Sequence, residues 1–317
     1  MTAASTDLAA GARMAAGPAR SNFRLFLHRF VQHRAAVVSL FILVAMATAA
    51  ACAPLIASAL NLDPNAVKLL GRFKPPSEAN WLGTDQLGRD VFIRLLHGGR
   101  ISLMAGLFAA FVAAIIGTTI GLISGYVGGR TDAVMMRLTD AIISLPALPL
   151  YIVLAAVDLS KIGLGGVAQS EMASLYRIIL IVAIAGWTTV ARLVRGATLA
   201  ARQREYVRAA RALGAGHWRI MLVHILPNIA SPIVVATTLS IGNVILIESV
   251  LSFLGLGIQP PLPSWGNMLT NAQELIWRAP MLAVYPGLCI FVTVICFNFL
   301  GDGLQDALDP RAQVLKR

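Results

Sequence analysis

The chain has 317 residues, of which 57% are hydrophobic and 13% are charged, and its mean hydropathy is +0.74. This balance is typical of a membrane protein with several spans, and it excludes a disordered chain or an ordinary soluble domain. The formal net charge of +11 would indicate nucleic-acid binding only if membrane topology failed to explain where the basic residues lie.

Six segments are apolar over about 20 residues or more, the length that an α-helix needs to cross the hydrocarbon core of a bilayer. They are roughly 36–60, 101–125, 138–158, 174–195, 228–251 and 281–301. In lipid such segments must be helical, because an open strand would leave its backbone groups unpaired. The first segment is longer than the apolar core of a signal peptide, so it is predicted to be retained. The predicted fold class is an all-α polytopic membrane protein with six transmembrane helices.

The basic residues are distributed unevenly about these spans. If the N-terminus is cytoplasmic, 17 lysines and arginines lie on the cytoplasmic side, and 9 lie outside or at an outer helix end. The excess follows the positive-inside rule, so both termini are predicted to be cytoplasmic. The same distribution largely accounts for the net charge without nucleic acid.

Two connections are predicted on the outer side. The loop 61–100 is punctuated by proline and glycine, and its part from Asp90 to His97 is predicted to form a short amphipathic helix. The loop 259–280 carries Pro260, Pro261, Pro263 and Trp265, which is typical of a rigid turn with an aromatic residue at the membrane interface.

The third predicted span contains both prolines and charges. Pro146 and Pro149 should bend it, because proline removes a helical hydrogen bond and clashes with the preceding turn. Asp140 follows Arg137 by three residues, so a local ion pair between them is predicted near the inner end of the helix.

The longest cytoplasmic connection, 196–227, joins the fourth and fifth spans. Residues 203–213 are good helix formers, and Tyr206, Ala210 and Leu213 fall on one face at helical spacing. This regularity predicts a helical element that projects from the membrane and docks a soluble partner. The alternative is an amphipathic helix that rests on anionic lipid.

Glycine and proline mark the end of this element. Gly214 stands where a helix commonly ends on a glycine, and Pro227 suits the first turn of the next membrane helix.

Polar residues within the spans are candidates for the translocation pathway. Glu248 lies well inside the fifth span, where an acid is costly and usually faces a cavity or a partner. It either lines the pathway or makes a structural hydrogen bond near the outer end of the helix. Asn243 and Asn298 are further candidates for the pathway.

Neither nucleotide nor metal chemistry is indicated. None of the four lysines follows a glycine, so the Gly-Lys-Ser/Thr of a P-loop is absent. The three cysteines, Cys52, Cys289 and Cys296, lie in apolar runs without a Cys-x-x-Cys pair, and we interpret them as buried hydrophobic residues. An intramembrane protease would need a buried Ser–His or Asp pair, which the predicted spans lack. The chain is therefore predicted to be non-catalytic, with no cofactor or metal of its own.

One motif resembles a known transporter family. Ala209-Ala210-x-x-x-Gly214, with Pro227 thirteen residues further on, is similar to the "EAA" loop of permeases in binding-protein-dependent ABC importers. Arg208 replaces the usual glutamate of that loop. The resemblance implies a loop that seats in a groove of the ATPase and transmits its closure to the membrane helices. Its predicted residues are Glu205, Tyr206, Arg208, Ala209, Ala210, Leu213, Gly214 and Pro227.

Three further segments, 82–90, 251–266 and 297–310, resemble the C-type permease subunits of dipeptide and oligopeptide importers. The resemblance runs from about residue 24 to 311 and implies a MetI-like permease core with one extra N-terminal helix. It also implies a homologous second permease, two ABC ATPases that hold ATP and Mg, and an extracytoplasmic substrate-binding protein. The residues predicted to contact that protein or the partner permease are Asp85, Arg89, Asp90 and Trp265.

The predicted function is peptide translocation across a bacterial cytoplasmic membrane, driven by ATP hydrolysis on partner subunits. An ABC permease for nickel or another small solute is an alternative, and an ion-coupled secondary transporter is another. The predicted divisions are a tail 1–35, a first helix 36–60, an outer loop 61–100, a core 101–304 and a tail 305–317.

Overall fold

The computed structural model describes residues 22–157 and 172–308. Its helices are α1 (Asn22–Gln32), α2 (Arg34–Ala51), α3 (Ala53–Ala59), α4 (Val91–Val127), α5 (Gly129–Ser144), α6 (Ala147–Ala155), α7 (Ala173–Arg202), α8 (Glu205–Ala212), α9 (Ala230–Phe253), α10 (Trp265–Met268), α11 (Ala272–Leu275) and α12 (Met281–Leu308). Between α8 and α9 the chain remains helical over His217–Arg219, the π-helical Ile220–Ile225 and the 3-10 turn Leu226–Ile229. The connection 158–171 and both chain ends, with the basic residues expected there, lie outside the described residues.

Within the described residues, five helices are long and apolar enough to cross a membrane, when His217–Phe253 is taken as one. The others are α2, α4, α7 and α12. The pair α5–α6 supplies a sixth crossing if it is counted as one bent span. The described residues contain no strand beyond an isolated bridge between Thr84 and Asp90. The all-α membrane fold is confirmed, with six as an approximate number of spans.

The third predicted span, 138–158, is two helices rather than one. α5 ends at Ser144, α6 begins at Ala147, and the two differ in direction by 90°. Leu145 between them is extended, with ψ of 138°, because the ring of Pro146 disfavours the helical conformation in the residue before it. The expected bend is confirmed, and it lies at the first of the two prolines.

α4 begins ten residues before the predicted span, at Val91 instead of residue 101. Asp90 caps it, since its carboxylate accepts a hydrogen bond from the backbone N–H of Ile93 at 2.8 Å. The segment Asp90–His97 is helical from Val91 onward as predicted, but it forms the first turns of the long helix α4 instead of a short helix of its own. The helix runs on through Gly98 and Gly99.

Both predicted tails contain helix next to the spans. α1 falls within the predicted tail 1–35, and α12 continues to Leu308, beyond the predicted core boundary at 304. Phe30 of α1 packs in a buried cluster with Ala36 and Ala307. The Nδ1 of His33 accepts the N–H of Ala36 at 3.2 Å, which starts α2 directly after α1.

α4 packs closely on α7. Gly117, Gly121 and Gly125 face the α7 backbone, and a Cβ added at Gly117 or Gly121 would lie 2.5 Å from a carbonyl oxygen of α7. Small residues every fourth position allow this approach, which is typical of helix pairs in membranes. The spacing is visible in the sequence, and our sequence analysis missed it.

The buried apolar side chains of the described residues form four clusters, of which the two with the most members are a large one and a smaller one. The large cluster lies among α2, α4, α7, α9 and α12. The smaller cluster lies where α4 and α7 end and α8 begins. We call this the α8 end of the molecule, and the opposite end, which carries the connection before α4, the 61–90 end.

Candidate functional site

The connection between α7 and α9 is a capped helix followed by a tight turn. α8 lies inside the segment 203–213 that was predicted to be helical. Gly214 has φ of +80°. The N–H of Ala215 donates to the carbonyl of Ala210 at 3.1 Å, which satisfies the helix end. A Cβ added at position 214 would have no contact within 4 Å beyond its own chain neighbours.

One face of α8 packs against the molecule, and the rest of the helix is turned outward. Val207 and Ala210 are buried, whereas Tyr206 is 40% exposed and Leu213 is 88% exposed. Of the three residues predicted to share a face at helical spacing, Tyr206, Ala210 and Leu213, only Ala210 is buried. Residues 207 and 210 are three apart and share a face, which turns Tyr206 and Leu213 outward.

The buried face of α8 joins the small apolar cluster at the α8 end. Val207 packs there with residues of α4, of α7 and of the helical turns before α9. The members include Leu122, Tyr126, Val190, Val194, Ile220, Met221 and Ile225. α8 is thus anchored to three elements of the transmembrane bundle.

Tyr126, near the C-terminal end of α4, makes the polar part of this anchor. Its hydroxyl lies 3.0 Å from Nδ1 of His217, and the two rings meet edge to face. The guanidinium of Arg211 lies over the Tyr126 ring at 5.8 Å from its centre. Sequence analysis singled out neither Tyr126 nor His217, because the two residues are 91 positions apart.

The remaining predicted loop residues face outward. Glu205, Arg208 and Ala209 are exposed on α8, and Pro227 is exposed in the turn before α9. The Nη2 of Arg208 donates to the backbone carbonyl of Gln203 at 3.2 Å.

A groove with a volume of about 700 Å³ lies along the bundle, lined mainly by α6, α7 and α9 with single residues or pairs from α4, α5 and α12. Its lining carries no charged side chain among the described residues, and its surface is mainly apolar. The polar side chains are Tyr151, Thr188, Thr189, Ser240, Asn243 and Gln305. Of the predicted pathway residues, Asn243 lines this groove. Asn298 is exposed on α12, and neither Asn298 nor Glu248 is part of the lining.

Glu248 is completely buried and hydrogen-bonded on both carboxylate oxygens. The hydroxyl of Ser102 donates to Oε2 at 3.1 Å, and that of Ser252 donates to Oε1 at 2.7 Å. Both hydroxyls also accept backbone N–H groups, Ser102 from Trp265 and Ser252 from Ile258. Of the two roles that the sequence left open for Glu248, this geometry fits the structural one.

The 61–90 end contains the residues predicted to contact a binding protein or partner permease. Asp85 accepts from Arg89 Nε at 2.7 Å, and Arg94 Nε lies 3.7 Å from the same oxygen. Asp90 caps α4 and accepts from the side chain of Asn80 at 2.8 Å. These bonds hold the connection against the start of α4.

Trp265 is 2% exposed, so the prediction of an interfacial aromatic side chain is wrong for this residue. Its indole N–H donates to the carbonyl of Leu95 at 3.0 Å, and its ring fills the space beside Gly99. Because Asp85, Asp90 and Trp265 are all buried, they can influence an external contact only by shaping the surface.

Ion pairs at the α8 end connect α5 to its neighbours. Asp132 pairs with Arg195 through both oxygens and also accepts from the hydroxyl of Ser124. Asp140 pairs with Arg192 of α7 at 2.6 Å, so the prediction of Arg137 as its partner is wrong. Within the described residues, no group of three or more metal-ligating side chains is found.

An all-helical chain with several spans, an uncharged groove and a projecting helical loop has the architecture of a membrane subunit of a transport system. The family model described as binding-protein-dependent transport system inner membrane component matches residues 117–314. A second model, the N-terminal TM domain of oligopeptide transport permease C, matches residues 21–76. The chain belongs to the family of binding-protein-dependent transport system inner membrane components.

Curated relatives cover most of the chain. A glutathione transport system permease protein of Pectobacterium atrosepticum is 43% identical over 92% of this chain and 92% of its own length. An oligopeptide transport system permease protein of Bacillus subtilis is 40% identical over 89% of this chain and 88% of its own. A probable D,D-dipeptide transport system permease protein of Escherichia coli is 40% identical over 79% and 80%. The expected resemblance to peptide-transport permeases is confirmed.

Proposed function

We propose that this chain is one of two homologous permease subunits in an ABC importer that moves short peptides across the bacterial cytoplasmic membrane. The observation that carries the proposal is the anchored α8 loop, which connects an exposed helix to the ends of α4, α7 and α9. ATP and Mg would be held by two partner ATPases. A substrate-binding protein would deliver peptide to the 61–90 end.

The coupling is mechanical in this proposal. Closure of the ATPases displaces α8, and the displacement reaches α4 through Tyr126 and His217 and reaches α7 through Val207. Because the glycines of α4 let its backbone pack directly on the backbone of α7, the two helices move as one unit. Their movement against α9 opens or closes the groove that contains Asn243.

Peptide is the proposed substrate because the relatives are named for glutathione, oligopeptides and D,D-dipeptides. The groove supports this choice, since its uncharged lining offers hydrogen bonds without selecting one side-chain charge. Nickel as substrate has no support among these relatives. An ion-coupled mechanism has little, because Glu248 is buried in a satisfied hydrogen-bond network.

Copurification tests the docking role of the loop. Gly214→Trp places a large side chain on a surface that is open in this chain, so only a partner should be obstructed. We expect the tagged wild-type chain, extracted gently from its native membranes, to retain a P-loop ATPase and a second permease, identified by mass spectrometry. The Trp variant should keep the permease and lose half or more of the ATPase, because the partner permease keeps its own docking loop.

Gly214→Ala is the matched control. Both substitutions place a side chain on a residue with a left-handed backbone, which costs about 1–2 kcal/mol of folding free energy in each variant. Alanine, however, adds far less volume than tryptophan. The Ala variant should retain most of the ATPase. Equal recovery of the ATPase from both variants and the wild type would show that α8 is not the docking element.

A further inference from the structure

The surface around α8 has an excess of positive charge. Four exposed arginines, Arg204, Arg208, Arg211 and Arg219, lie within 16 residues of sequence, and Glu205 is the one acid in that stretch. Arg211 lies over Tyr126. Among the described residues, no ion-pair partner is found for the other three.

Arg208 is the best oriented of these cations. Its bond to the Gln203 carbonyl fixes one end of the guanidinium and leaves its other N–H groups toward solvent. A planar guanidinium held in this way is suited to bidentate recognition of a carboxylate. Glu205, one turn away on α8, makes no ion pair with it in the described structure.

The faces of α8 favour a protein partner over a lipid surface. Its buried residues, Val207 and Ala210, already pack against the bundle, so they are not available to acyl chains. The outward surface combines arginines with the isolated apolar side chains Tyr206 and Leu213. Apolar anchors within a polar, charged rim are typical of protein interfaces.

We propose that the ATPase surface which receives α8 is acidic, and that one of its carboxylates pairs with Arg208. This inference rests on the docking role proposed above, and it adds the chemistry of the partner. It assigns to Arg208 the role of selecting an ATPase with the complementary charge.

Cross-linking can detect the pair directly. Arg208→Lys keeps the charge and introduces a primary amine into a loop that has no lysine, since the four lysines of the chain are Lys68, Lys74, Lys161 and Lys316. A carbodiimide condenses this amine with a neighbouring carboxylate to form an amide bond. The carbodiimide takes up the water that is released and becomes a urea. In the copurified complex we expect an amide between position 208 and an Asp or Glu of the ATPase, located by peptide mass spectrometry.

Charge reversal gives the second measurement. Arg208→Glu should reduce the ATPase recovered per tagged chain by half or more at about 0.1 M salt. The docking site on this chain is lost, whereas the partner permease keeps its own docking site for the second ATPase. Arg130→Glu, an equal charge change at another exposed arginine of the α8 end, should leave the recovery unchanged. Arg208→Lys should behave like the wild type.

Three outcomes would overturn the inference. In the first, the ATPase is recovered equally from the Arg208→Glu variant and the wild type. In the second, position 208 cross-links only within this chain. In the third, Arg208→Glu weakens binding to vesicles containing anionic lipid but not to the ATPase. If the Gly214→Trp variant still loses the ATPase, docking on α8 stands and only the charge assignment fails.

Discussion

The carboxylate of Glu248 connects three parts of the molecule. Through Ser102 it reaches α4 and the backbone of Trp265, and through Ser252 it reaches the backbone of Ile258. The residue therefore fixes the loop after α9 against the bundle. The sequence could indicate that this acid is important, because acids are rare in spans, but it could not give the partners, which are up to 146 positions away.

Substitution of Glu248 should lower stability in a predictable order. Glu248→Gln keeps the shape and one carbonyl acceptor, so we expect a loss of about 1 kcal/mol. Glu248→Leu removes both acceptors and leaves two buried serine hydroxyls unsatisfied, so we expect about 2–4 kcal/mol. The midpoint of unfolding, measured for each purified variant and for the wild type in the same detergent, gives both losses of stability. A stable Gln variant that nevertheless abolished peptide uptake would contradict a purely structural role.

At the scale of elements, the glycines of α4 control how closely it approaches α7. A Cβ on Gly121 would lie 2.5 Å from the carbonyl oxygen of Ala191 and 2.8 Å from Cβ of Val194, so the helices would have to separate. Gly121→Ala should therefore destabilise the chain by about 1–3 kcal/mol, despite the better helix propensity of alanine.

Gly196 of α7 is the control for this prediction. A Cβ there meets nothing within 4 Å, so Gly196→Ala should be neutral or stabilising by up to about 1 kcal/mol. Thermal unfolding of both variants in the same detergent compares them. If Gly121→Ala were as stable as Gly196→Ala, the tight packing of α4 on α7 would not hold in solution.

Local rules predicted much of the element structure. Hydrophobic length identified the regions of the spans, proline placed the bend before α6, and glycine placed the end of α8. Each of these features depends on neighbours in the sequence. The burial of Trp265 could not be predicted in this way, because the indole fits only where Gly99, which is distant in sequence, leaves room for it.

At the scale of the whole molecule, the candidate site was predicted in part. The loop was recognised because its glycine and alanine spacing is a local motif, but its sequence did not indicate that Val207 would be buried and Leu213 exposed. The groove could not be predicted, since its lining comes from α4 to α7, α9 and α12 and has no charge to mark it. The anchor between Tyr126 and His217 depends on the same long-range assembly.

The two ends of the molecule should lie on opposite sides of the membrane, and coupling to cytoplasmic ATPases requires the α8 end to be inside. Leu70, in the connection before α4, and Leu213, after α8, are both highly exposed and can each be replaced by cysteine. The native Cys52, Cys289 and Cys296 are first changed to alanine. In intact spheroplasts a membrane-impermeant maleimide should label Leu70→Cys and spare Leu213→Cys. After permeabilisation and a salt wash that removes bound ATPase, both should react. Labelling of Leu213→Cys in intact spheroplasts would show that the α8 end lies outside, and α8 could then not couple to a cytoplasmic ATPase.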